Sequence, residues 1–316
     1  MNNYKFDYLV FGANGQDGFF MTRYLLKKNY RVVAVIRRNF KYLDLLKRNF
    51  QNKLKIIKIN NFTKKNYLKV FKNIDVNKIF FFAGFSRIPT NELEKKKCYR
   101  GNYIIFKLFL EFLIKKKLIQ KILYISSSEI YGSKQKKKRN EKSIMRPDNY
   151  YGECKVKTQN LISFYRKKYS LFISTAIAYN HESIFTPKNH LITTFFNKFE
   201  NSKNNKIIIY NPNDCRNISH VYDFLPVFEK ILFLKKSGDF ILANNIDYKL
   251  IDIIKIINKT FYKNKFIIQT SENRKLSISR RGDNTWIKKL FKYNPYFDIY
   301  KILKRFYSYN KRKVYK

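Results

Sequence analysis

The sequence predicts an α/β protein in which helices cover both faces of a doubly wound parallel sheet. Short apolar runs alternate with helical patterns through the first half of the chain. These runs are continuous in Val, Ile and Phe, as in strands buried on both faces, and lack the apolar–polar alternation of half-exposed strands. Regular alternation of such strands with helices is typical of this fold class. With 316 residues, of which 45% are hydrophobic, the chain is long enough for two domains.

The predicted elements follow one another in a regular order. The strands are expected at residues 7–11, 31–36, 54–59, 78–83, 121–126 and 172–178, and the helices at 19–28, 64–72, 102–116 and 152–169. After Tyr179, Asn, Pro and Ser residues interrupt this pattern. We therefore expect a first domain over residues 1–178 and a smaller, partly interleaved domain over 179–316. The regular segments at 221–234 and 239–243 are expected to return to the main sheet, within a returning segment of residues 217–247.

The charge of the chain is strongly positive. There are 67 Lys and Arg residues against 22 Asp and Glu, which gives a formal net charge of +45 at pH 7. A nucleic-acid-binding protein concentrates its basic residues on one face or arm. The lysines here are spread along the whole chain and form only short runs. We therefore interpret the charge as a solvated basic surface and expect no specific nucleic-acid partner.

Cysteine and histidine content argues against a disulfide framework or a metal site. The three cysteines are scattered and show no metal-ligand spacing, so we expect free thiols in a reducing compartment. The three histidines form no HxxxH-type pair, so no metal is expected. Strand-like sequence begins by Phe6 and leaves no room for a signal peptide, and the apolar stretches are too short and too often interrupted by charge to span a bilayer. We expect a cytoplasmic protein with no membrane partner.

A glycine-rich motif follows the first predicted strand and opens the first helix. It contains Gly12, Gly15 and Gly18, which are three of only nine glycines in the chain. In a dinucleotide-binding loop these positions allow a tight turn, a close approach of the backbone to a pyrophosphate, and close packing of helix on strand. The N-terminus of the helix then offers free N–H groups to the phosphates. The motif in this context predicts a Rossmann-like dinucleotide site.

The end of the second predicted strand bears on which dinucleotide binds. An NAD site places Asp or Glu about 20 residues beyond the glycine loop, where it holds the ribose 2′-hydroxyl. This chain has Arg37 and Arg38 instead. Two guanidinium groups suit a 2′-phosphate, although adjacent arginines can also arise by chance in so basic a chain. The pattern favours NADP over NAD.

A second motif is Tyr151 followed four residues later by Lys155, at the start of a predicted helix. The spacing places phenol and ammonium on one helical face, where the cation is expected to lower the pKa of the phenol and make it a usable base. A Ser-rich segment, residues 126–132, follows the fifth strand, at the edge where open α/β sheets bind ligands. These two segments together predict a catalytic site.

The chain resembles the GDP-mannose 4,6-dehydratase family of extended short-chain dehydrogenase/reductases. The resemblance is carried by motifs in the family's order: Gly12–Gly18 with Gln16 and Asp17, residues 126–132, residues 147–155, the Asn180-His181-Glu182-Ser183 signature, Arg216 with His220 and Asp223, and Gly282-Asp283. It implies a Rossmann-like NADP-binding domain, a nucleotide-sugar-binding domain, and a homo-oligomer, either a dimer or a tetramer.

The resemblance, read with the motifs above, assigns roles residue by residue. Catalytic roles fall to Ser127, Glu129, Tyr151 and Lys155. Cofactor-binding roles fall to Gly12, Gly15, Gln16, Asp17, Gly18, Arg37, Arg38, Asn61, Ala83, Tyr151 and Lys155. Substrate-binding roles fall to Ser86, Ser127, Glu129, Asn180 and Arg216. Asn102 is similar to the helix Asn that supports the catalytic Lys in such enzymes.

The activity implied is that of a nucleotide-sugar 4,6-dehydratase acting on GDP-mannose or a related GDP-sugar. Tyr151 takes the proton of the 4-hydroxyl, and Glu129 takes the C5 proton as water leaves C6. An epimerase or reductase of the same fold is the alternative, and a non-enzymatic binder of nucleic acid or membrane surface is a rival of a different class.

Several positions depart from the family pattern. Asn60-Asn61 stands where the family has Gly-Asp, and Phe82-Ala83-Gly84 replaces a Leu-Ala-Ala loop. On the substrate side, Thr193-Thr194 and Asn273-Arg274-Lys275 replace basic and Arg-Pro-x-Glu elements. The substrate-side departures leave the identity of the sugar open.

Overall fold

The computed structural model describes residues 4–133, 137–186, 190–273 and 278–314. The chain divides into two compact units. The first comprises Met1–Tyr131, Ile144–Ile177 and Leu225–Phe240, and the second comprises Gly132–Ser143, Ala178–Phe224 and Ile241–Lys316. The first unit thus includes the late segment Leu225–Phe240, and the second unit includes the early segment Gly132–Ser143.

Strands and helices are numbered in chain order. The strands are β1 (Tyr4–Phe11), β2 (Val32–Ile36), β3 (Leu54–Lys58), β4 (Ile74–Phe81), β5 (Lys121–Ser127), β6 (Ile173–Ala178), β7 (Asn180–Glu182), β8 (Lys206–Tyr210), β9 (Cys215–His220), β10 (Asp239–Leu242), β11 (Asp247–Lys249), β12 (Ile267–Ser271) and β13 (Ser279–Arg280). The α-helices are α1 (Gln16–Lys27), α2 (Lys41–Asn49), α3 (Lys64–Phe71), α4 (Glu92–Tyr99), α5 (Ile105–Lys115), α6 (Tyr150–Tyr169), α7 (Leu191–Glu200), α8 (Val221–Ile231), α9 (Leu250–Tyr262), α10 (Thr285–Phe291) and α11 (Ile299–Val314).

A seven-stranded sheet has the order β10-β6-β5-β4-β1-β2-β3. The pairings of β1 with β2, β1 with β4, β2 with β3 and β4 with β5 are parallel. The order reverses at β1, which is flanked by β2 on one side and β4 on the other. Ligands of open α/β sheets bind at such a switch point, beyond the carboxyl ends of the strands. The predicted fold class is confirmed, and the glycine loop after β1 lies at the switch point.

Burial explains why the apolar runs form strands. Every residue of β2 is buried, and the last four residues of β1 are buried as well. An aromatic cluster fills much of the space between sheet and helices, with ring centroids 5.0 Å apart for Phe11–Phe81 and 5.1 Å apart for Phe11–Phe109. Rings of this size bury large apolar areas and pack favourably at these tilted angles. The aromatic-rich composition is thus used in the core.

The predicted helices are present, but the prediction omits α2 and α4 and misplaces the start of one helix. The strands and helices predicted for the first half are all present, with bounds shifted by up to four residues. The segment predicted as one helix over 102–116 instead begins as a turn of π-helix, Arg100–Ile104, between α4 and α5. Helix α4 was not predicted because Cys98 is its only buried residue, so its sequence shows no apolar stripe.

The second unit has its own sheets and core. One sheet has the order β11-β9-β13 with β7 paired to β9, and β8 and β12 form a separate parallel pair. Apolar residues of α7, α9 and α11 pack with those of β8 into a second hydrophobic cluster. Within the described part of the chain, no helix is long and apolar enough to cross a membrane.

Candidate active site

The glycine loop leaves no room for side chains at two of its positions. Gly12 follows β1 with φ +80°, a region that favours glycine, and an ideal Cβ there would lie 2.7 Å from the backbone N of Ala83. An ideal Cβ on Gly18 would lie 2.7 Å from the Gly12 carbonyl carbon and 2.8 Å from Ala13 Cα. The first turn of α1 therefore packs directly on the loop, and the loop packs on the segment after β4.

Gly15 has a different environment. It is exposed and precedes α1 as its N-cap. Among the residues that the structure describes, an ideal Cβ there would have one close neighbour, Gly12 O at 3.3 Å. Gln16 and Asp17 follow in the first turn of α1, each half-buried. The N–H groups of this helix end and its dipole can receive an anionic group. Gly15 is thus the position in the loop where a pyrophosphate has space to approach.

The other cofactor candidates follow neighbouring parallel strands. Arg37 and Arg38 come directly after β2 and are exposed, with the Arg37 guanidinium 5.9 Å from the Phe62 ring centroid. Asn61 lies beyond β3, is exposed, and accepts a hydrogen bond from the side chain of Asn66 (2.6 Å). The buried Ala83 follows β4 and lies against Gly12. All these positions follow the carboxyl ends of strands at one edge of the sheet.

Four catalytic candidates come together in the first unit. Ser127 is the last residue of β5, and Glu129 lies on the 3₁₀ turn that follows. Tyr151 and Lys155 lie in the first turns of α6. The backbone N–H of Glu129 donates to Ser127 Oγ (3.3 Å), and Ser127 is hydrogen-bonded to the Tyr151 phenol. The end of β5 and the start of α6 thus bring hydroxyl, carboxylate and phenol into one neighbourhood.

The expectation that Lys155 lowers the pKa of Tyr151 is wrong in this structure. Burial raises the pKa of Tyr151 well above its ordinary value, and the nearby Glu129 carboxylate raises it further, against the effect of the Ser127 hydrogen bond. Lys155 Nζ lies 5.7 Å from the Tyr151 ring centroid, and it donates its hydrogen bonds to Tyr124 and Ile125 instead. Spacing on a helix predicted which residues share a face, but not which atoms they contact.

Lys155 is buried and held by the strand beneath it. Its Nζ donates to Ile125 O (2.9 Å) and to the Tyr124 hydroxyl (3.2 Å). Burial lowers the pKa of Lys155 to about 8, while the negative charge of Asp17 acts in the opposite direction. The ammonium therefore stays charged at neutral pH, and Tyr124 is a contact that the motifs did not indicate.

Asn102 connects this lysine to the neighbouring helix and loop. It is buried in the π-helical turn, and its backbone carbonyl accepts from the Tyr124 hydroxyl (3.2 Å) and from Thr158 Oγ1 (2.9 Å). Its side-chain Oδ1 accepts from the backbone N–H of Phe85 (3.3 Å), after β4. A π-turn often marks a functional site because it redirects backbone groups. Here the carbonyl of Asn102, within the π-turn, supports Lys155 through the Tyr124 hydroxyl.

Substrate candidates occur in both units. Ser86 is exposed on the segment after β4 in the first unit. Asn180 and Arg216 lie in the second unit, on the paired strands β7 and β9. The Arg216 guanidinium donates to Cys215 O (2.9 Å) and lies 3.5 Å from an Asp214 carboxylate oxygen.

The remaining motif residues have structural contacts. Asp223 accepts from the backbone N–H groups of Tyr296 (2.9 Å) and Phe297 (3.2 Å), and burial raises the pKa of Asp223 to about 6. An ideal Cβ on Gly282 would lie 2.6 Å from the Tyr179 ring, so this glycine permits close packing.

Two substrate-side departures fall differently in the structure. Thr193 is buried and Thr194 exposed on α7. Arg274 and Lys275 lie outside the described residues. No cluster of three or more metal-ligating side chains occurs among the residues that the structure describes.

Comparison with known proteins identifies the family. Residues 9–299 match the family model described as GDP-mannose 4,6 dehydratase. The chain belongs to this family. Over 283 residues it is 22% identical to the GDP-mannose 4,6 dehydratase of Dictyostelium discoideum, covering 83% of this chain and 76% of the relative. Over 271 residues it is 24% identical to the dTDP-D-glucose 4,6-dehydratase of the same organism, covering 79% of this chain and 61% of that relative.

Solved structures of nucleotide-sugar enzymes share the fold of this chain. The dTDP-glucose 4,6-dehydratase of Bacillus anthracis, in complex with NAD, superposes with a TM-score of 0.82 at 18% identity and covers 97% of each chain. The UDP-glucuronic acid 4-epimerase of Bacillus cereus, in complex with UDP-glucuronic acid and NAD, has a TM-score of 0.80 at 18% identity and covers 98% of this chain and 100% of its own. The family indicated by the sequence motifs is confirmed, and so is the Rossmann-like fold. The chain is an enzyme of the nucleotide-sugar dehydratase/epimerase family.

Proposed function

We propose that the protein is an NADP-dependent nucleotide-sugar 4,6-dehydratase that converts GDP-mannose or a related GDP-sugar to its 4-keto-6-deoxy form. The observation that carries this proposal is the Glu129 carboxylate on the turn after β5. It lies two residues from Ser127 and close enough to the Tyr151 phenol to raise the pKa of that phenol. A 4,6-dehydratase needs one group for the 4-hydroxyl proton and a second for the C5 proton. Tyr151 and Glu129 supply this pair.

The residues around the glycine loop fit a dinucleotide. Gly12 and Gly18 are closely packed, whereas Gly15 borders open space. A side chain at position 15 would fill the space that a pyrophosphate needs. We assign Gln16, Asp17, Asn61 and Ala83, with the three glycines, to the cofactor site. The exposed Arg37 and Arg38 after β2 are assigned to the 2′-phosphate, which makes NADP the proposed cofactor. When bound, the nicotinamide supplies an acceptor for the C4 hydride and returns that hydride to C6.

The protein side chains then move the protons. Ser127 binds the 4-hydroxyl, and Tyr151 accepts its proton as the C4 ketone forms. The ketone acidifies C5–H, and Glu129 removes that proton. Protonated Glu129 gives its proton to the departing C6 hydroxyl, so that water leaves. Once C6 carries the hydride, C5 takes up a proton from solvent through Glu129, and the proton held by Tyr151 passes to solvent. Burial and Glu129 raise the pKa of Tyr151, so only the ionised fraction of the phenol is the base. The Lys155 ammonium, 5.7 Å from the ring centroid, is proposed to offset part of this rise once substrate and cofactor are bound.

The second unit is assigned to the substrate. Asn180 and Arg216 are proposed to hold the nucleotide diphosphate, since a guanidinium forms strong charge-assisted hydrogen bonds with phosphate. Ser86, together with Ser127 and Glu129, is proposed to contact the sugar. We also propose a cytoplasmic homo-oligomer, a dimer or a tetramer, which size-exclusion chromatography with light scattering would test.

Glu129→Gln tests the proposal. The amide keeps the size of the side chain but cannot accept the C5 proton. With GDP-mannose or another GDP-sugar, we expect reduced cofactor to accumulate on the variant, visible by its absorbance, with no loss of water by mass spectrometry. In heavy water the unmodified enzyme should place deuterium at C5 of its product, and the variant should not.

A matched control lies on the neighbouring helix. Glu153 is exposed in the first turn of α6, so Glu153→Gln removes the same charge without touching the turn after β5, and it should keep wild-type turnover. If Glu129→Gln kept most of its activity, the dehydratase assignment would be wrong and an epimerase or reductase of the same fold would replace it.

A further inference from the structure

The side chain of Asn149 makes hydrogen bonds through every polar group it has. As the N-cap of α6, its Oδ1 accepts from the backbone N–H of Gly152 (2.9 Å). Its Nδ2 donates to Glu129 Oε2 (2.6 Å) and to Asp148 Oδ1 (3.2 Å). An N–H donor faces the oxygen and carboxylates face the nitrogen, so only one orientation of the amide satisfies all three contacts. The amide therefore joins the start of α6 to the carboxylate of Glu129.

The backbone of the same two elements is in close contact. An ideal Cβ on Gly152 would lie 2.5 Å from Glu129 O and 2.9 Å from Pro147 Cβ. The first turn of α6 thus packs directly on the turn that bears Glu129. The Asn149 bond adds a link from this helix to the end of the Glu129 side chain, which packing of the backbone alone does not supply.

A helix cap needs only an acceptor. Asp, Ser and Asn serve about equally well at an N-cap, because the cap accepts from the N–H groups of the first turn. Asn91 caps α4 in this way, accepting from the backbone N–H of Glu94 (2.9 Å). What Asn149 has beyond a carboxylate cap is the donor that reaches Glu129.

We propose that Asn149 is a positioning residue that holds the Glu129 carboxylate in place for removal of the C5 proton. The proposal rests on the dehydratase function proposed above. A misplacement of about 1 Å can cost on the order of a hundredfold in rate, because the reacting groups must be held in near-attack geometry. Tyr151 lies on the helix that Asn149 caps. The bond from Asn149 therefore also fixes Glu129, which removes the C5 proton, relative to Tyr151, which removes the 4-hydroxyl proton.

Two substitutions separate the donor from the cap. Asn149→Asp keeps the acceptor and replaces the donor with an anionic oxygen that repels Glu129. Asn149→Gly removes the side chain without adding charge, and glycine is a tolerable N-cap. Asn91→Asp makes the same change at the cap of α4 and serves as the control. Both Asn149 variants should lower C5 deuterium uptake and product formation about ten- to hundredfold. The rate of the first hydride transfer in Asn149→Gly should stay within about threefold of wild type, because that step does not use Glu129.

A second measurement does not depend on activity. Thermal unfolding midpoints of Asn149→Gly, Glu129→Ala and the double variant form a cycle that detects the bond itself, since alanine at position 129 leaves no acceptor for Asn149. We expect the double variant to lose less than the sum of the two single shifts. Additive shifts would overturn the proposal. So would Asn149 variants that keep the wild-type rate of C5 exchange. A fall of hydride transfer and elimination by the same factor would also overturn it, because that result indicates only a lost helix cap. A wild-type protein that removes no water from any nucleotide sugar would instead overturn the dehydratase function, and this role with it.

Discussion

Replacing Gly18 by Ala should destabilise the protein, although Gly18 lies in a helix. In an ordinary helix interior the exchange of Gly for Ala stabilises by roughly 1 kcal/mol, because alanine has the higher helix propensity. At Gly18 the new Cβ would meet backbone atoms of the glycine loop, 2.7 Å from the Gly12 carbonyl carbon and 2.8 Å from Ala13 Cα. Backbone cannot rotate away as the end of a flexible side chain can. The sign of the effect should therefore reverse.

The size of the effect follows from the required movement. Ordinary van der Waals contact begins near 3.4 Å, so the 2.7 Å separation must grow by at least 0.7 Å, and the Gly12 carbonyl oxygen, which is nearer still, must move further. Overpacking of this kind costs about 1–3 kcal/mol. At about 2–4 °C for each kcal/mol in a domain of this size, the midpoint should fall by about 2–12 °C. The same movement pulls the N-terminus of α1 away from the loop, so the affinity for NADP should fall at least tenfold.

Gly15→Ala makes the contrast. Its Cβ would have one close neighbour, Gly12 O at 3.3 Å, so the unfolding midpoint should change little. Its cofactor affinity should still fall, because a methyl group occupies the space assigned to the pyrophosphate. The two variants are compared by thermal unfolding without cofactor and by titration with NADP. A Gly18→Ala protein as stable as wild type, or more so, would refute the packing argument.

Three further outcomes are expected. Tyr151→Phe should fold normally and lose about 10²–10⁴-fold in turnover, measured with the same sugar panel, and full activity would show that the phenol takes no part. Changing Arg37 and Arg38 to Ala together should weaken NADP binding at least tenfold and leave NAD binding nearly unchanged by titration, whereas equal wild-type affinity for both cofactors would contradict the 2′-phosphate assignment. The depressed pKa of Lys155 means that the unfolded chain binds more protons than the native protein between pH 8 and the ordinary lysine value of 10.5, so native stability gains from Lys155 as the pH rises through this window. Relative to Lys155→Met, wild-type unfolding free energy should rise by about 1–3 kcal/mol from pH 8 to pH 10 in denaturant titrations, and parallel curves would contradict the burial of the ammonium.

Much of the fold could be predicted because local patterns carry it. The continuous apolar run of β2 indicated a strand buried on both faces, and each of its residues is buried. Helix α4 escaped prediction because burial of Cys98 alone leaves no periodic signal. The π-turn at Arg100–Ile104 escaped for another reason, since its irregular backbone is stabilised by bonds from Tyr124 and Thr158, which lie on other elements.

The candidate site shows the same division. Motif order placed Ser127, Glu129, Tyr151 and Lys155 on the end of a strand and the start of a helix, because spacing along the chain sets which residues share a face or follow a strand. It could not show that Lys155 contacts Tyr124, nor that burial raises the pKa of Tyr151. Both depend on which elements pack together and on how much solvent they exclude.

The sequence alone therefore determined the fold class, the family and the types of residue available for chemistry, since these follow from periodicity, motif spacing and turn-forming glycines. Tertiary packing decided how those residues are connected. The bond from Asn149 to Glu129 joins residues 20 positions apart on different elements, and no periodic pattern encodes it. Desolvation acts in the same way, because the pKa of Lys155 falls only when β5 and α6 enclose its ammonium.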